Sequence, residues 1–173
     1  WDSSVRVVII SGPNTGGKTV TLKTLGLLAL MARVGLYLPV KKNSRIPFFP
    51  KVYSDIGDDQ NIQLKLSTFS GHLKKIIHIL NNVETGSLVL LDELGIATDP
   101  AEGAALAEAI LFDLKNKNVM TLVSTHYFTL KILAQTNEGF LNACTEFDLD
   151  SLSPTYRLIF GAPGQSAALD TAE

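Results

Sequence analysis

The chain alternates two kinds of hydrophobic pattern. Short β-branched or apolar runs at residues 5–11 (VRVVIIS), a weaker one at 52–56, and runs at 87–91 and 119–124 read as strands, with 87–91 the continuous apolar kind that is buried on both faces of a parallel sheet. Between them lie longer segments with apolar positions at helical spacing. They cover residues 18–34, a stretch from Thr68 marked by Phe69, Leu73, Ile76, Ile77 and Leu80, then residues 102–115 and 127–136. Ser67 stands where it can cap the second of these helices, and Gly35 and Pro39 are stop signals for the first. Strand, helix and strand in repeated order predict an α/β fold with a mainly parallel sheet flanked by helices. After Gly139 the pattern changes to two apolar runs, residues 140–147 and 155–160, separated by an Asp- and Ser-rich stretch, which predicts an antiparallel pair near the C-terminus. Residues 166–173 read as the start of a helix without a stop signal.

Three strand ends carry chemistry. Gly12-Pro13-Asn14-Thr15-Gly16-Gly17-Lys18-Thr19 matches the spacing G-x-x-x-x-G-K-[ST] and falls between a strand and a helix, where that pattern forms a phosphate loop. Its glycines let successive backbone N–H groups and a helix N-terminus surround phosphate oxygens. Lys18 would reach the β- and γ-phosphates, and Thr19 would offer its hydroxyl to Mg²⁺. The next run, Leu88-Val89-Leu90-Leu91, ends in Asp92-Glu93 at the carboxyl edge of the predicted sheet. Asp92 would hold Mg²⁺ through water, and Glu93 would orient and deprotonate an attacking water. Ser124-Thr125-His126 ends the following strand at the same edge, so His126 can approach a γ-phosphate as donor or water positioner. His72 and His78 fall on a helix and read as surface or interface residues.

Composition narrows the class. The chain has 173 residues, 46% hydrophobic and 18% charged, which suits one compact domain and excludes a fibre or a disordered tail. Its longest apolar run, residues 25–32, is far shorter than the ~20 residues of a membrane span. A formal charge of −2 gives no basic field for gripping nucleic acid, and the Lys41-Lys42 and Lys74-Lys75 clusters read as solvated faces. The single Cys144 has no partner for a disulfide or a metal site, consistent with a reducing, cytoplasmic setting. An opening Trp1-Asp2 carries no export leader, and the chain reads as one domain over residues 1–173, excised from a larger protein.

The runs GPNTGGKT, STFS at Ser67-Thr68-Phe69-Ser70, LLDELGIATDP ending at Pro100, and STHY ending at Tyr127 together resemble the ATPase domain of the MutS family. Within it, LSTFSGHL, Asp99-Pro100 and PTYRLIFGAPGQSAA are most similar to the second bacterial branch, MutS-two. The resemblance implies a P-loop NTPase of ABC type that takes ATP and Mg²⁺, releases ADP, and works as a homodimer with composite sites. In that arrangement the segment from Ser67 faces the γ-phosphate held by the other subunit, a role compatible with capping its own helix. It further implies Tyr156 as the ring that packs on adenine, the alternative being a simply packed strand tyrosine. Where the family usually has two glycines, this chain has Gly95-Ile96-Ala97-Thr98, with less backbone freedom at Ala97 and more bulk at Ile96. The parent proteins are associated with restraining recombination or with ribosome rescue, so DNA or the ribosome would be engaged by domains outside this chain. A nucleotide-gated dimerisation switch without turnover is the alternative class. An SMC-like or transporter ATPase is disfavoured because no LSGGQ-like string precedes Leu88.

Overall fold

The computed structural model describes residues 4–57, 65–95, 99–148, 151 and 153–164, with residues 14 and 65–69 described by backbone alone. The elements run β1 (Val7–Ser11), α1 (Lys18–Arg33), β2 (Val52–Asp55), α2 (Lys65–Asn82), β3 (Leu88–Leu91), α3 (Pro100–Asn116), β4 (Met120–Ser124), α4 (Phe128–Thr136), β5 (Phe140–Asp148) and β6 (Ser153–Phe160). The six strands form one sheet in the order β2-β3-β4-β1-β5-β6. Every pairing is parallel except β5 with β6.

Period-two alternation explains the layering. Val8 and Ile10 of β1, Leu88 and Leu90 of β3 and Leu122 of β4 pack on one face with Leu22 and Ala29 of α1. Val7, Ile9, Val89, Leu91 and Val123 turn to the other face and meet Ile76 and Ile79 of α2, Ala107, Leu111 and Leu114 of α3, and Leu130 of α4. A sheet covered on both faces needs apolar residues at every strand position, which is why VVIIS and LVLL are buried throughout.

Several expectations are refined. Helix α2 includes Lys65, so Ser67 lies within its first turn rather than at its cap. The buried stripe of α2 uses Ile76 and Ile79, whereas Ile77 is exposed. Adding residues 79 and 83 to a stripe through 76 keeps the i, i+3, i+7 spacing that one helix face requires, and 77 falls outside it. A 3-10 turn over Asn14–Gly16, absent from the sequence reading, leads into α1. Asp99 caps α3 by accepting from the N–H groups of Ala101 and Glu102, with Pro100 at the first helical position. The acidic, polar segment 57–65, which its place after the 52–56 run marks in sequence as an active-site loop, lies over residues 58–64 outside the described residues. So do the Ile96-Ala97-Thr98 part of the loop after Gly95 and the helix start expected at 166–173.

Candidate active site

Parallel strands bring their carboxyl ends to one edge, and β1, β3 and β4 lie near one another there with β4 in the centre of the three. The loop after β1 closes tightly. Gly12 has φ of +133°, and a Cβ on it would stand 2.6 Å from the Thr145 hydroxyl of β5. A Cβ at Gly16 would stand 2.4 Å from the same oxygen, so a side chain at either position would collide with the Thr145 side chain, which would have to shift. Gly17 turns the chain into α1 with φ of +89°, leaving the backbone N–H groups of the first helical turn without intrahelical acceptors. That is the arrangement that binds anions.

Lys18 is 2% exposed, and its ammonium donates to the carbonyls of Gly12 at 2.8 Å and Pro13 at 3.0 Å. Burial lowers its pKa from the ordinary lysine range; Glu93 and Asp92 oppose that shift, and Lys131 reinforces it. A cation held in this way, beside its own loop, is poised for a multiply charged anion.

Thr19 opens α1 and donates its hydroxyl to Asp92 Oδ2 at 2.7 Å. The other oxygen, Oδ1, accepts a short hydrogen bond from Ser124, whose hydroxyl also accepts the Glu93 N–H at 2.8 Å. Ser124 is fully buried and locks the ends of β3 and β4 together. Glu93 adopts φ of +53°, a left-handed conformation that a non-glycine residue holds at some cost when its surroundings fix it. His126 Nε2 lies 3.1 Å from Glu93 Oε1. A hydroxyl and a carboxylate oxygen side by side are the hard oxygen donors that Mg²⁺ takes while keeping most of its waters, so Thr19 and Asp92 fit that ion. A carboxylate paired with an imidazole next to them can orient and deprotonate water.

The described residues therefore bring the loop, Lys18, Thr19, Asp92, Glu93 and His126 to one edge. Tyr156 joins them from β6. Opposite a single residue of β5, Glu146, strand β6 inserts Thr155, Tyr156 and Arg157, and this bulge sets Tyr156 at φ of +57°. Its ring carbons come within 3.1 and 3.4 Å of where a Cβ on Gly17 would stand, while the residue remains 68% exposed. The side chain of Ser67 lies outside the described residues, and α2 places its backbone at the start of the helix. Sequence reasoning left three contributors unassigned: the Ser124 bridge, Thr145 under the loop, and Ser11. The Ser11 hydroxyl accepts the Gly164 N–H at 2.8 Å, and Lys131 donates to the Gly164 carbonyl at 2.9 Å. Together these bonds hold residues 161–164 against the loop, where a Cβ on Gly164 would stand 3.0 Å from Gly12. Only the threonine and serine residue types hinted at these contacts, because each depends on strands brought together from distant parts of the chain.

Comparison with known proteins places the chain in a family. Residues 8–172 match the family described as MutS domain V. A relative named Endonuclease MutS2 from Alkaliphilus metalliredigens is 54% identical over 97% of this chain and 21% of its own length. Proteins of the same name from Synechocystis and Staphylococcus epidermidis are each 52% identical, over 99% and 98% of this chain and 23% and 22% of theirs. The chain thus spans about a fifth of the length of the curated relatives it matches. With the family match covering nearly every residue and full-span relatives above half identity, the chain belongs to the MutS family and is MutS2-like.

Proposed function

We propose that this chain is the ATP-binding and hydrolysing unit of a MutS-type protein, an ABC-type P-loop ATPase domain that drives conformational change in a larger DNA-processing dimer. The observation that carries the reading is the junction of Thr19 and Asp92 at 2.7 Å beside the Glu93–His126 pair at 3.1 Å, over a glycine loop that holds a buried lysine. Loop N–H groups and the start of α1 bind the phosphates, and Lys18 exchanges its carbonyl partners for phosphate oxygens. Thr19 and Asp92 would hold Mg²⁺, which would supply charge compensation to the phosphates. Glu93 takes the proton of the attacking water, His126 orients that water or donates to the γ-phosphate, and ADP is released. Tyr156, held out beside Gly17, stacks on adenine. The first turn of α2, with Ser67, completes the site of the partner subunit. DNA, or a ribosome, is engaged by parts of the protein outside this chain, in recombination control or ribosome rescue, and the setting is cytoplasmic. The described residues include no helix long and apolar enough to cross a membrane.

Turnover separates an ATPase from a nucleotide-gated switch. Glu93→Gln keeps shape but cannot accept a proton, so ATP affinity should persist while steady-state phosphate release falls by roughly 10²–10⁴-fold. Wild-type phosphate release in that variant would place the base elsewhere, and unsubstituted whole protein that binds ATP and dimerises without releasing phosphate would establish the switch.

A further inference from the structure

One buried acid at this edge takes no part in the chemistry above. Asp55 ends the edge strand β2 and is 5% exposed. Its main-chain carbonyl accepts the Asp92 N–H at 2.9 Å, extending the β2–β3 ladder to the residue that would hold Mg²⁺. Its carboxylate is directed to α2. Oδ2 lies 2.6 Å from His72 Nδ1, and Oδ1 lies 3.3 Å from Lys75 Nζ as an ion pair without an aligned hydrogen bond. Lys75 is itself largely exposed, so the half-buried His72 makes the closer, directional contact.

A buried carboxylate is costly unless it is paired, so α2 is fixed to the end of β2 where His72 can reach Asp55. His72 lies four residues after Thr68 and five after Ser67, about one turn along the same helix from the signature-like segment. Among the described residues of α2, the buried apolar anchors Ile76 and Ile79 lie further along the helix than His72.

We propose that Asp55 and His72 are positioning residues that set the first turns of α2, so that a subunit presents its Ser67 segment correctly to the nucleotide held by its partner. This rests on the composite-site reading above. The pair acts through α2 on the partner's site, not on the site of its own subunit, because Asp92 is held to Asp55 through main-chain atoms that a substitution at His72 leaves in place.

Subunits of the whole protein provide the test. Lys18→Ala subunits, which keep α2 intact, are mixed with Ser67→Arg subunits, which keep the phosphate loop, and the mixture should recover hydrolysis from one composite site. Adding His72→Leu to the Lys18→Ala subunit should cut that recovered kcat by roughly 10-fold or more with little change in KM for ATP, as expected for a displaced reacting group. The same substitution in the Ser67→Arg subunit should leave recovery intact. His72→Asn, whose side-chain N–H can replace Nδ1–H, should restore activity in the first position. Equal loss from both placements would mean that His72 serves folding alone, and no loss from the first would mean that α2 needs no pin; either overturns the proposal. Absence of recovery in the mixture without any His72 substitution would instead overturn the composite site, and the pin with it.

Discussion

At the scale of single residues, the candidate site turns on one buried cation. Lys18 is desolvated, its ammonium is held by two loop carbonyls, and the charges of Glu93 and Asp92 oppose the fall in its pKa that burial causes. Lys18→Ala removes a charge-assisted contact worth about 1.5–3 kcal/mol, so nucleotide affinity should fall by roughly 10–150-fold. Titration calorimetry with a slowly hydrolysed ATP analogue measures this directly, and unchanged affinity would remove the phosphate-loop assignment. Residues of this kind were legible in the sequence because phosphate chemistry demands a fixed local spacing of glycines, lysine and threonine after a strand. Ser124 was not legible in its role. Its hydroxyl joins Asp92 and the Glu93 N–H from a strand over thirty residues away, and nothing local distinguishes it from other buried serines. His72 reads as a surface or interface residue in sequence for the same reason, since its partner Asp55 belongs to a different element.

At the scale of elements, the turn between β3 and α3 determines how Glu93 is held. Leu94 anchors it in the core, and Gly95 has φ of +89° with its carbonyl accepting the Tyr127 hydroxyl at 2.7 Å. A Cβ at Gly95 would stand 2.5 Å from the Gly103 carbonyl oxygen, which is main chain and cannot swing aside. Gly95→Ala therefore combines a left-handed backbone, costing about 1–2 kcal/mol, with a backbone collision. Thermal unfolding should show a loss above that range, and phosphate release should fall further still because Glu93 moves with the turn; a variant with unaltered melting and turnover would contradict this account. Most elements were legible because strand and helix have different hydrophobic periods, and β1, α1 and the antiparallel pair β5–β6 fall close to their expected bounds. The bulge in β6 was not. An apolar run such as 155–160 predicts a regular strand, whereas three residues opposite one are needed to bring Tyr156 over Gly17.

At the scale of the whole molecule, α/β class was legible from the repeated strand–helix order, but strand order was not. Hydrophobic runs say that a strand is buried on both faces, not which strands are its neighbours, and the placement of β1 between β4 and β5 comes from packing alone. That placement puts the phosphate loop beside the ends of β3 and β4 and leaves α2, with the signature-like segment, at the β2 margin of the sheet. On the composite-site proposal, a second subunit completes this site by bringing its own α2 to it. ATP should then act as part of the contact between subunits, binding to the loop of one and the first helical turn of the other. Dimerisation should accordingly depend on nucleotide and outlast it only briefly after hydrolysis. Glu93→Gln with ATP and Mg²⁺ should sediment as a dimer at concentrations where the nucleotide-free form is monomeric, because binding only to the dimer shifts association by mass action. Lys18→Ala should stay monomeric under the same conditions, and specific activity of the unsubstituted protein should rise with its concentration. Activity independent of concentration, with no nucleotide-dependent change in sedimentation, would mean that each chain works alone and that α2 does not act across an interface.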